Sequence, residues 1–286
     1  MVLSFPPDVF ARLEPEIYLQ RHVENGIRPS GARGFDDFRT VKAQLGNIKN
    51  TIGSALVRAG ESTVVCGITA GVTETIDGGG VYPNVEIIRG STRSGPPTEE
   101  EMILSQQCYD LLTEVFKDKQ ALFDIPELED EKRVVLNATV QVLSRTGPCF
   151  DLVWSAITLA LKNTVLPKLS VDIDTKAVSY DKDEPGLVFS DKYNFDQYSS
   201  SFGIVEVPSQ ESSVLLADID GDTEEACIKS RMSVASNGDG TLNRFSLTVA
   251  DSTASAGHKG ISVSKKDIQS ALQLARQRSA QLSNQF

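Results

Sequence analysis

Aspartates alternate in Asp218-Ile219-Asp220-Gly221-Asp222, and Glu224 and Glu225 follow closely. Carboxylates at such spacing can converge on a divalent cation. An EF-hand loop wants acids at positions 1, 3 and 5, glycine at 6 and glutamate at 12. Counted from Asp218, position 6 is Thr223 and position 12 is Lys229, so the pattern fails where it is most demanding. The other reading is a solvated acidic turn after the apolar run Val214-Leu215-Leu216-Ala217. Gly78-Gly79-Gly80 and Gly238-Asp239-Gly240 have the backbone freedom of a phosphate cradle. Neither carries a Walker lysine or opens an evident helix, so both read as flexible turns. His258 falls in a loop with no aspartate–serine partners assignable to it. Cys66, Cys108, Cys149 and Cys227 include no CxxC pair, and His22 and His258 are the only histidines. These cysteines read as buried thiols, and no metal or cofactor is expected.

The elements that must position these groups follow from periodicity and punctuation. Val9, Phe10, Leu13, Ile17, Tyr18 and Val23 recur at helical spacing over 8–24, with Pro15 as a break and Gly26 as a stop. Residues 40–49 alternate weakly; 54–58 and 63–68 are β-branched runs separated by Ala59-Gly60-Glu61, a hairpin signal. Another strand is expected over 82–88. A helix is expected over 98–117, where Thr98 and Glu101 have capping-box spacing. A long strand over 134–143 precedes a buried helix over 152–161 that includes Trp154. Further strands are expected near 168–174, 186–190, 202–207, 213–219, 227–235 and 243–250. Asn237-Gly238-Asp239-Gly240 reads as a hairpin turn, and a last helix starts at Ser264. The order indicates an α+β protein with two similar halves.

The chain of 286 residues has a net charge of −11, which at first weighs against nucleic acid as a ligand. Its distribution changes that. Residues 99–133 hold eleven acids and four bases, and residues 211–225 hold six acids and no base. The remainder is slightly basic. Arg28, Arg33, Arg39, Arg58, Arg89 and Arg93 give the N-terminal half a positive component compatible with a single RNA strand. No apolar run approaches a membrane helix, and the N-terminus lacks signal-peptide features, so an intracellular protein without membrane contact is expected.

Several of these segments resemble one family. Arg28-Pro29-Ser30-Gly31-Ala32-Arg33 is similar to the Arg-Pro-Asp-Gly-Arg element of RNase PH-like exosome subunits. Gly53 to Ile68 resembles that family's Gly-Ser-Ala…Gly-x-Thr-x-Val hairpin. Tyr82-Pro83-Asn84-Val85, Arg93-Ser94-Gly95-Pro96-Pro97, Ala160-Leu161-Lys162-Asn163 and the 218–225 segment follow in the family's order. The likeness runs from about residue 15 to about residue 280. It implies an RNase PH-like fold (ribosomal protein S5 domain 2-like), with two mixed-sheet halves and helices packed between them. The implied division is 1–27 (N-terminal helical segment), 28–168 (first half) and 169–286 (second half with the C-terminal helix).

The resemblance also implies a mechanism and its loss. Active members remove 3′ nucleotides from RNA by phosphorolysis, using arginines on the helix after the first sheet, a Gly-Thr-rich phosphate loop and two aspartates. Here the helix begins Glu99-Glu100-Glu101, with no arginine between Arg93 and Arg133. The loop reads Gly147-Pro148-Cys149-Phe150-Asp151, and the two aspartates fall on Glu225 and Arg231, the second reversed in charge. The expectation is therefore a subunit without catalysis of its own. Its implied partners are other RNase PH-like subunits in a hexameric ring, S1/KH cap subunits, a separate hydrolytic 3′-to-5′ ribonuclease and single-stranded RNA. The implied locations are the nucleus, including the nucleolus, and the cytoplasm. Arg28, Arg33, Arg58, Arg89 and Arg93 are the candidate RNA contacts. The alternatives are an active phosphate-dependent exoribonuclease that shares a composite site with a partner, and a free RNA-binding module.

Overall fold

The structure, a computed structural model, describes residues 6–31, 33–74, 80–90, 96–125, 132–172, 177–180, 186–207, 212–249 and 263–286. In chain order the elements are α1 (Pro7–Leu13), α2 (Pro15–Glu24), β1 (Val41–Leu45), β2 (Gly53–Ala59), β3 (Ser62–Thr73), β4 (Val81–Ile87), α3 (Glu99–Phe116), a 3-10 segment (Lys117–Phe123) and β5 (Arg133–Ser144). Then come α4 (Phe150–Lys162), β6 (Val165–Leu166), β7 (Leu169–Asp172), β8 (Ala177–Tyr180), β9 (Leu187–Val188) and α5 (Phe189–Lys192). The chain ends with β10 (Gln197–Val207), β11 (Ser212–Ala217), α6 (Gly221–Cys227), β12 (Ser230–Asn237), β13 (Leu242–Thr248) and α7 (Lys265–Gln285). The class is α+β, as the element order implies. Two compact units result, and both are discontinuous in sequence. One comprises Met1–Thr40, Thr146–Asp151 and Gln197–Phe286; the other comprises Val41–Arg145 and Leu152–Asp196.

The unit containing Val41 is built on a mixed sheet in the order β1-β2-β3-β5-β4, in which β4 runs parallel to β5 and the other pairs are antiparallel. In β5 the buried Leu136, Ala138, Val140 and Val142 alternate with exposed Asn137, Thr139 and Gln141, the period of a half-buried strand. Gly60-Glu61 joins β2 to β3, with Gly60 at φ +59° supplying the left-handed turn residue. Leu152 through Leu161 of α4 are all buried. Phe116, Phe123, Phe189, Phe195 and Trp154 form a connected aromatic core. The capping box at Thr98 and Glu101 is formed. It does a second job: Glu101 Oε1 accepts from Ile87 N at 2.7 Å and Ser105 Oγ accepts from Val85 N at 2.9 Å, so α3 closes the outer edge of β4.

In the other unit an antiparallel sheet runs β11-β10-β12-β13. Its two faces are read directly from β10. Phe202 and Ile204 pack with Met232, Val234, Ala271 and Ala275 under α7, while Val205 and Val207 pack with Leu19 and Val23 of α2. Gly203 is required between them: a Cβ there would lie 2.7 Å from Ile228 Cγ2. Pro15 divides the N-terminal helical pattern into α1 and α2, and Gly26 follows α2 at φ +73°. Ser264 caps α7 in a box with Asp267.

Two expected strands differ. Near 186–190 only Leu187–Val188 is strand, and Phe189 turns into α5 to enter the aromatic core. The strand expected over 227–235 begins at Ser230, because 221–227 form α6. The loop with His258, and Gly78 and Gly79, lie outside the described residues.

Candidate functional site

The acidic segment 218–224 and the arginines of 28–39 meet within one unit. Arg28 is 1% exposed. Its Nε donates to Glu224 Oε1 at 3.0 Å and its Nη2 to Glu224 Oε2 at 2.5 Å, a bidentate pair with a carboxylate that is itself buried. Its Nη1 also donates to Ala217 O at 2.8 Å and its Nη2 to Asp218 O at 3.0 Å. Arg39 embraces Asp218 through its backbone N (2.7 Å), Nε (3.0 Å) and Nη2 (2.7 Å). Arg33 Nη1 adds a bond to Asp218 Oδ2 at 3.1 Å, and Arg33 and Arg39 each reach Asp220 at 3.2 Å. Arg278 of α7 lies over the Phe38 ring and donates to Arg39 O at 2.6 Å, fixing the segment that carries Arg39.

These contacts explain the charge states. Burial opposes ionisation of Asp218, but the hydrogen bonds and charge of Arg39, with the charge of Arg33, outweigh it and hold the carboxyl below its usual range. The Arg39 guanidinium is correspondingly held above its ordinary value despite its desolvation. Arg33 is lowered, first by desolvation and then by the charges of Arg28 and Arg39, against the pull of Asp218 and Asp220. Asp218 sits at φ +51°, a left-handed conformation that aspartate tolerates better than most residues. That conformation is over-determined by the four groups that grip its carboxylate and by its own N–H bond to Ser201 O.

The loop 146–151 packs onto the same segment. Thr146 Oγ1 donates to Asp220 Oδ1 at 2.9 Å, and Arg39 Nη1 donates to Thr146 O at 3.0 Å. Gly147 has φ +78°, and a Cβ there would lie 2.9 Å from Ile219 O. Asp151 accepts from Ser201 N at 2.7 Å and Ser201 Oγ at 2.9 Å. Desolvation nonetheless pushes its carboxyl up, with the nearby Asp218 charge acting in the same direction against the serine hydrogen bonds. The 146–151 loop and the 218–224 segment are thus adjacent, linked through Arg39, Thr146 and Asp220.

The acidic cluster is therefore neither a solvated turn nor a cation loop. Its Asp218, Asp220 and Glu224 converge on Arg28, Arg33 and Arg39, an equal number of opposite charges. Arg28, expected to touch RNA, is a buried structural group, because its guanidinium is consumed by Glu224 and two carbonyls. Arg33 is committed to the same network, with a side chain 12% exposed. Arg58 is exposed and its Nε donates to Gly60 O. Arg89 is exposed and pairs with Glu100 at 3.0 Å, a carboxylate that Arg145 also engages. Arg93 lies outside the described residues. Glu225 and Arg231 are half-buried; Arg231 Nη2 donates to Glu225 O at 2.7 Å and its Nε to Ile228 O at 2.9 Å. Arg231 thus satisfies carbonyls at the C-terminal end of α6, where a cation is favoured. Thr146 and Arg278 complete the network without any local sequence signal for it.

Comparison with known proteins matches residues 37–167 to the 3′ exoribonuclease family, domain 1. The exosome complex component rrp43 of Schizosaccharomyces pombe is 31% identical over 186 residues, covering 62% of this chain and 67% of that protein. The exosome complex component Rrp42 of Archaeoglobus fulgidus is 27% identical over 67% of this chain and 76% of its own length. Among solved structures, a chain of the Archaeoglobus fulgidus exosome with RNA bound to the active site matches with a TM-score of 0.67 at 20% identity, covering 98% of this chain and 100% of that one. An archaeal exosome core chain matches with a TM-score of 0.64.

Proposed function

Because the chain belongs to the RNase PH family of 3′ exoribonucleases and their exosome relatives, we propose that it is a non-catalytic ring subunit of the RNA exosome, of the rrp43 type. It scaffolds the channel through which RNA is threaded for 3′-to-5′ processing and degradation, including rRNA maturation and mRNA turnover. One observation carries the non-catalytic part. Phosphorolysis needs uncommitted positive charge and oriented donors for inorganic phosphate. Here Arg28, Arg33 and Arg39 are bound to internal carboxylates. In addition, the helix α3 opens on three glutamates, of which Glu101 is spent on capping and Glu100 on Arg89 and Arg145.

Its partners in this reading are RNase PH-like neighbours in a hexameric ring, S1/KH cap subunits, a separate hydrolytic ribonuclease and single-stranded RNA. Exposed Arg58 and Arg89 are the remaining described candidates for backbone contact with that RNA. The sites of action are the nucleus, including the nucleolus, and the cytoplasm. Affinity purification of the tagged chain, with identification of co-purifying subunits, tests the assembly. The expected result is a stoichiometric set of RNase PH-like and S1/KH proteins. Recovery of a free chain of about 31 kDa that binds RNA alone would favour a stand-alone RNA-binding module. RNA shortening by a purified pair of subunits that depended on phosphate and on Glu225 would favour the composite active site.

A further inference from the structure

The solvent-facing side of β1, β2 and β3 carries an uncompensated pair of cations. Lys42 of β1 stands directly opposite Arg58 of β2, and Arg58 stands opposite Thr63 of β3. Opposed residues share a face of the sheet, and Lys42 and Arg58 are both exposed on it. The other face is the core side, where Val57 opposes Val64 and both are fully buried. Like charges placed opposite each other across a strand pair cost stability. Elsewhere in the same unit cations meet carboxylates: Arg89 pairs with Glu100, Arg133 with Asp124 and Lys162 with Asp196. Among the described residues no carboxylate pairs with Lys42 or Arg58. Residues 41–73 hold three bases and a single acid, Glu61 at the β2–β3 turn, in a chain of net charge −11. Arg58 is nevertheless held in place. Its Nε donates to Gly60 O at 3.1 Å, while Ser144 Oγ donates to the adjoining carbonyl, Glu61 O, at 2.7 Å. The terminal nitrogens of Arg58 and the Lys42 ammonium make no hydrogen bond among the described residues.

We propose that Lys42 and Arg58 form a phosphodiester-binding pair for the backbone of single-stranded RNA. This rests on the RNA-threading reading and names a contact for it. Cβ atoms of directly opposed residues lie about 5 Å apart. The two long side chains repel, so they spread to successive phosphates of one strand, one cation to each. Thr63 and Gln44 flank the pair with neutral donors of the kind that contact phosphate and sugar. Gln44 Oε1 accepts from Asn47 Nδ2 at 3.0 Å, which keeps the Gln44 amide nitrogen for a ligand. The strands β1, β2 and β3 contain no aromatic residue, so bases find no stacking platform and the contact is to backbone rather than to sequence. The same face disfavours a docked protein. Around the pair it consists of Gln44, Leu56, Thr63 and Val65, and none of these is an exposed large apolar side chain fit for the centre of a protein interface. Of the two exposed arginines considered for RNA, Arg89 already shares Glu100 with Arg145, which leaves Arg58 as the uncommitted one.

The test uses the complex reconstituted with its co-purifying subunits, without any hydrolytic ribonuclease. Affinity for labelled adenosine and uridine homopolymers is measured over a range of salt for the wild type, Lys42→Ala, Arg58→Ala, the double variant and Arg58→Lys. For single strands the salt slope is about 0.7 per neutralised phosphate, so each contact contributes about fivefold near 0.1 M salt relative to a 1 M reference. Each alanine variant is expected to weaken binding by about fivefold and to lower the slope by about 0.7, equally for both homopolymers, and the double variant by about 25-fold. Arg58→Lys keeps the charge and is expected to keep the slope. All variants are expected to assemble at wild-type stoichiometry, since both side chains are exposed. Affinity within about twofold of the wild type and an unchanged slope for the double variant overturn the proposal. So does a loss confined to one homopolymer, which makes the contact one to bases. Loss of a subunit from the double variant with unchanged RNA affinity also overturns it and makes an acidic protein segment the occupant. If the wild-type assembly binds no RNA, the threading reading itself fails; if it binds RNA and the double variant behaves identically, only the Lys42–Arg58 site fails.

Discussion

Replacing Arg28 by alanine separates a structural guanidinium from an RNA contact. The substitution leaves Glu224, whose side chain is 1% exposed, with a buried charge and no bidentate partner. It also removes the donors to Ala217 O and Asp218 O. Asp218 O retains Arg33 Nη2 at 3.1 Å, so Ala217 O is the more exposed to loss. Removing one member of a buried ion pair costs about 3–5 kcal/mol, because the other charge stays desolvated and uncompensated. At about 2–4 °C per kcal/mol for a chain of this size, the unfolding midpoint should fall by roughly 6–20 °C. The double change Arg28→Met with Glu224→Leu removes both charges and should recover most of that loss, since apolar groups can replace a buried pair with little penalty. Thermal unfolding of the three proteins, followed by circular dichroism at one protein concentration, measures this. RNA affinity of the assembled complex is measured alongside. A midpoint within 1 °C or so of the wild type, together with a clear drop in RNA affinity, would refute the reasoning and return Arg28 to the RNA surface.

Four further outcomes follow from the same network. Asp218 is held low in the folded state, so its contribution to stability is present above the unfolded carboxyl value of about 3.9 and is lost as pH falls through the folded value. Asp218→Asn should therefore be markedly less stable at neutral pH and flatten the acid limb of a stability–pH curve. Asp151 is shifted the other way, so its contribution is greatest at low pH and is lost as pH rises through the folded value; the stability difference between wild type and Asp151→Asn should shrink over that rise. Gly147→Ala should destabilise by about 1–3 kcal/mol in denaturant titrations, since it combines φ +78° with a Cβ 2.9 Å from Ile219 O. Arg231→Asp restores the charge expected of an active relative but removes the donors to Glu225 O and Ile228 O; a lower unfolding midpoint and no gain of phosphate-dependent RNA shortening are the expected results.

Features encoded by neighbours in sequence were legible. Pro15 marked the division between the first two helices, Thr98 and Glu101 marked a helix start, and Gly60-Glu61 marked a hairpin. Each depends on backbone dihedrals or hydrogen bonds within a few residues, which is where periodicity and capping rules act. The short helix α6 was hidden because Gly221, Asp222 and Thr223 are poor helix formers and seven residues give no clear period. The ion network was only half legible. Both its charged segments stood out, one read as a candidate RNA contact and the other as a carboxylate cluster, yet Arg28 and Glu224 are 196 positions apart. No local pattern encodes that pairing. Nor does any pattern announce that residues 146–151 belong with the same unit as 28–39. The overall net charge of −11 thus conceals an acidic patch neutralised by arginines from the chain's beginning.

The most direct measurement is RNA shortening by the reconstituted assembly, with and without inorganic phosphate, comparing wild type with Glu225→Gln in this subunit. Phosphorolysis would transfer the 3′-terminal nucleotide to phosphate and release a nucleoside diphosphate. The account predicts the same rate and the same products for both proteins, with no nucleoside diphosphate attributable to this chain. Phosphate-dependent release of nucleoside diphosphate that disappears in Glu225→Gln would contradict it and identify this subunit as catalytic.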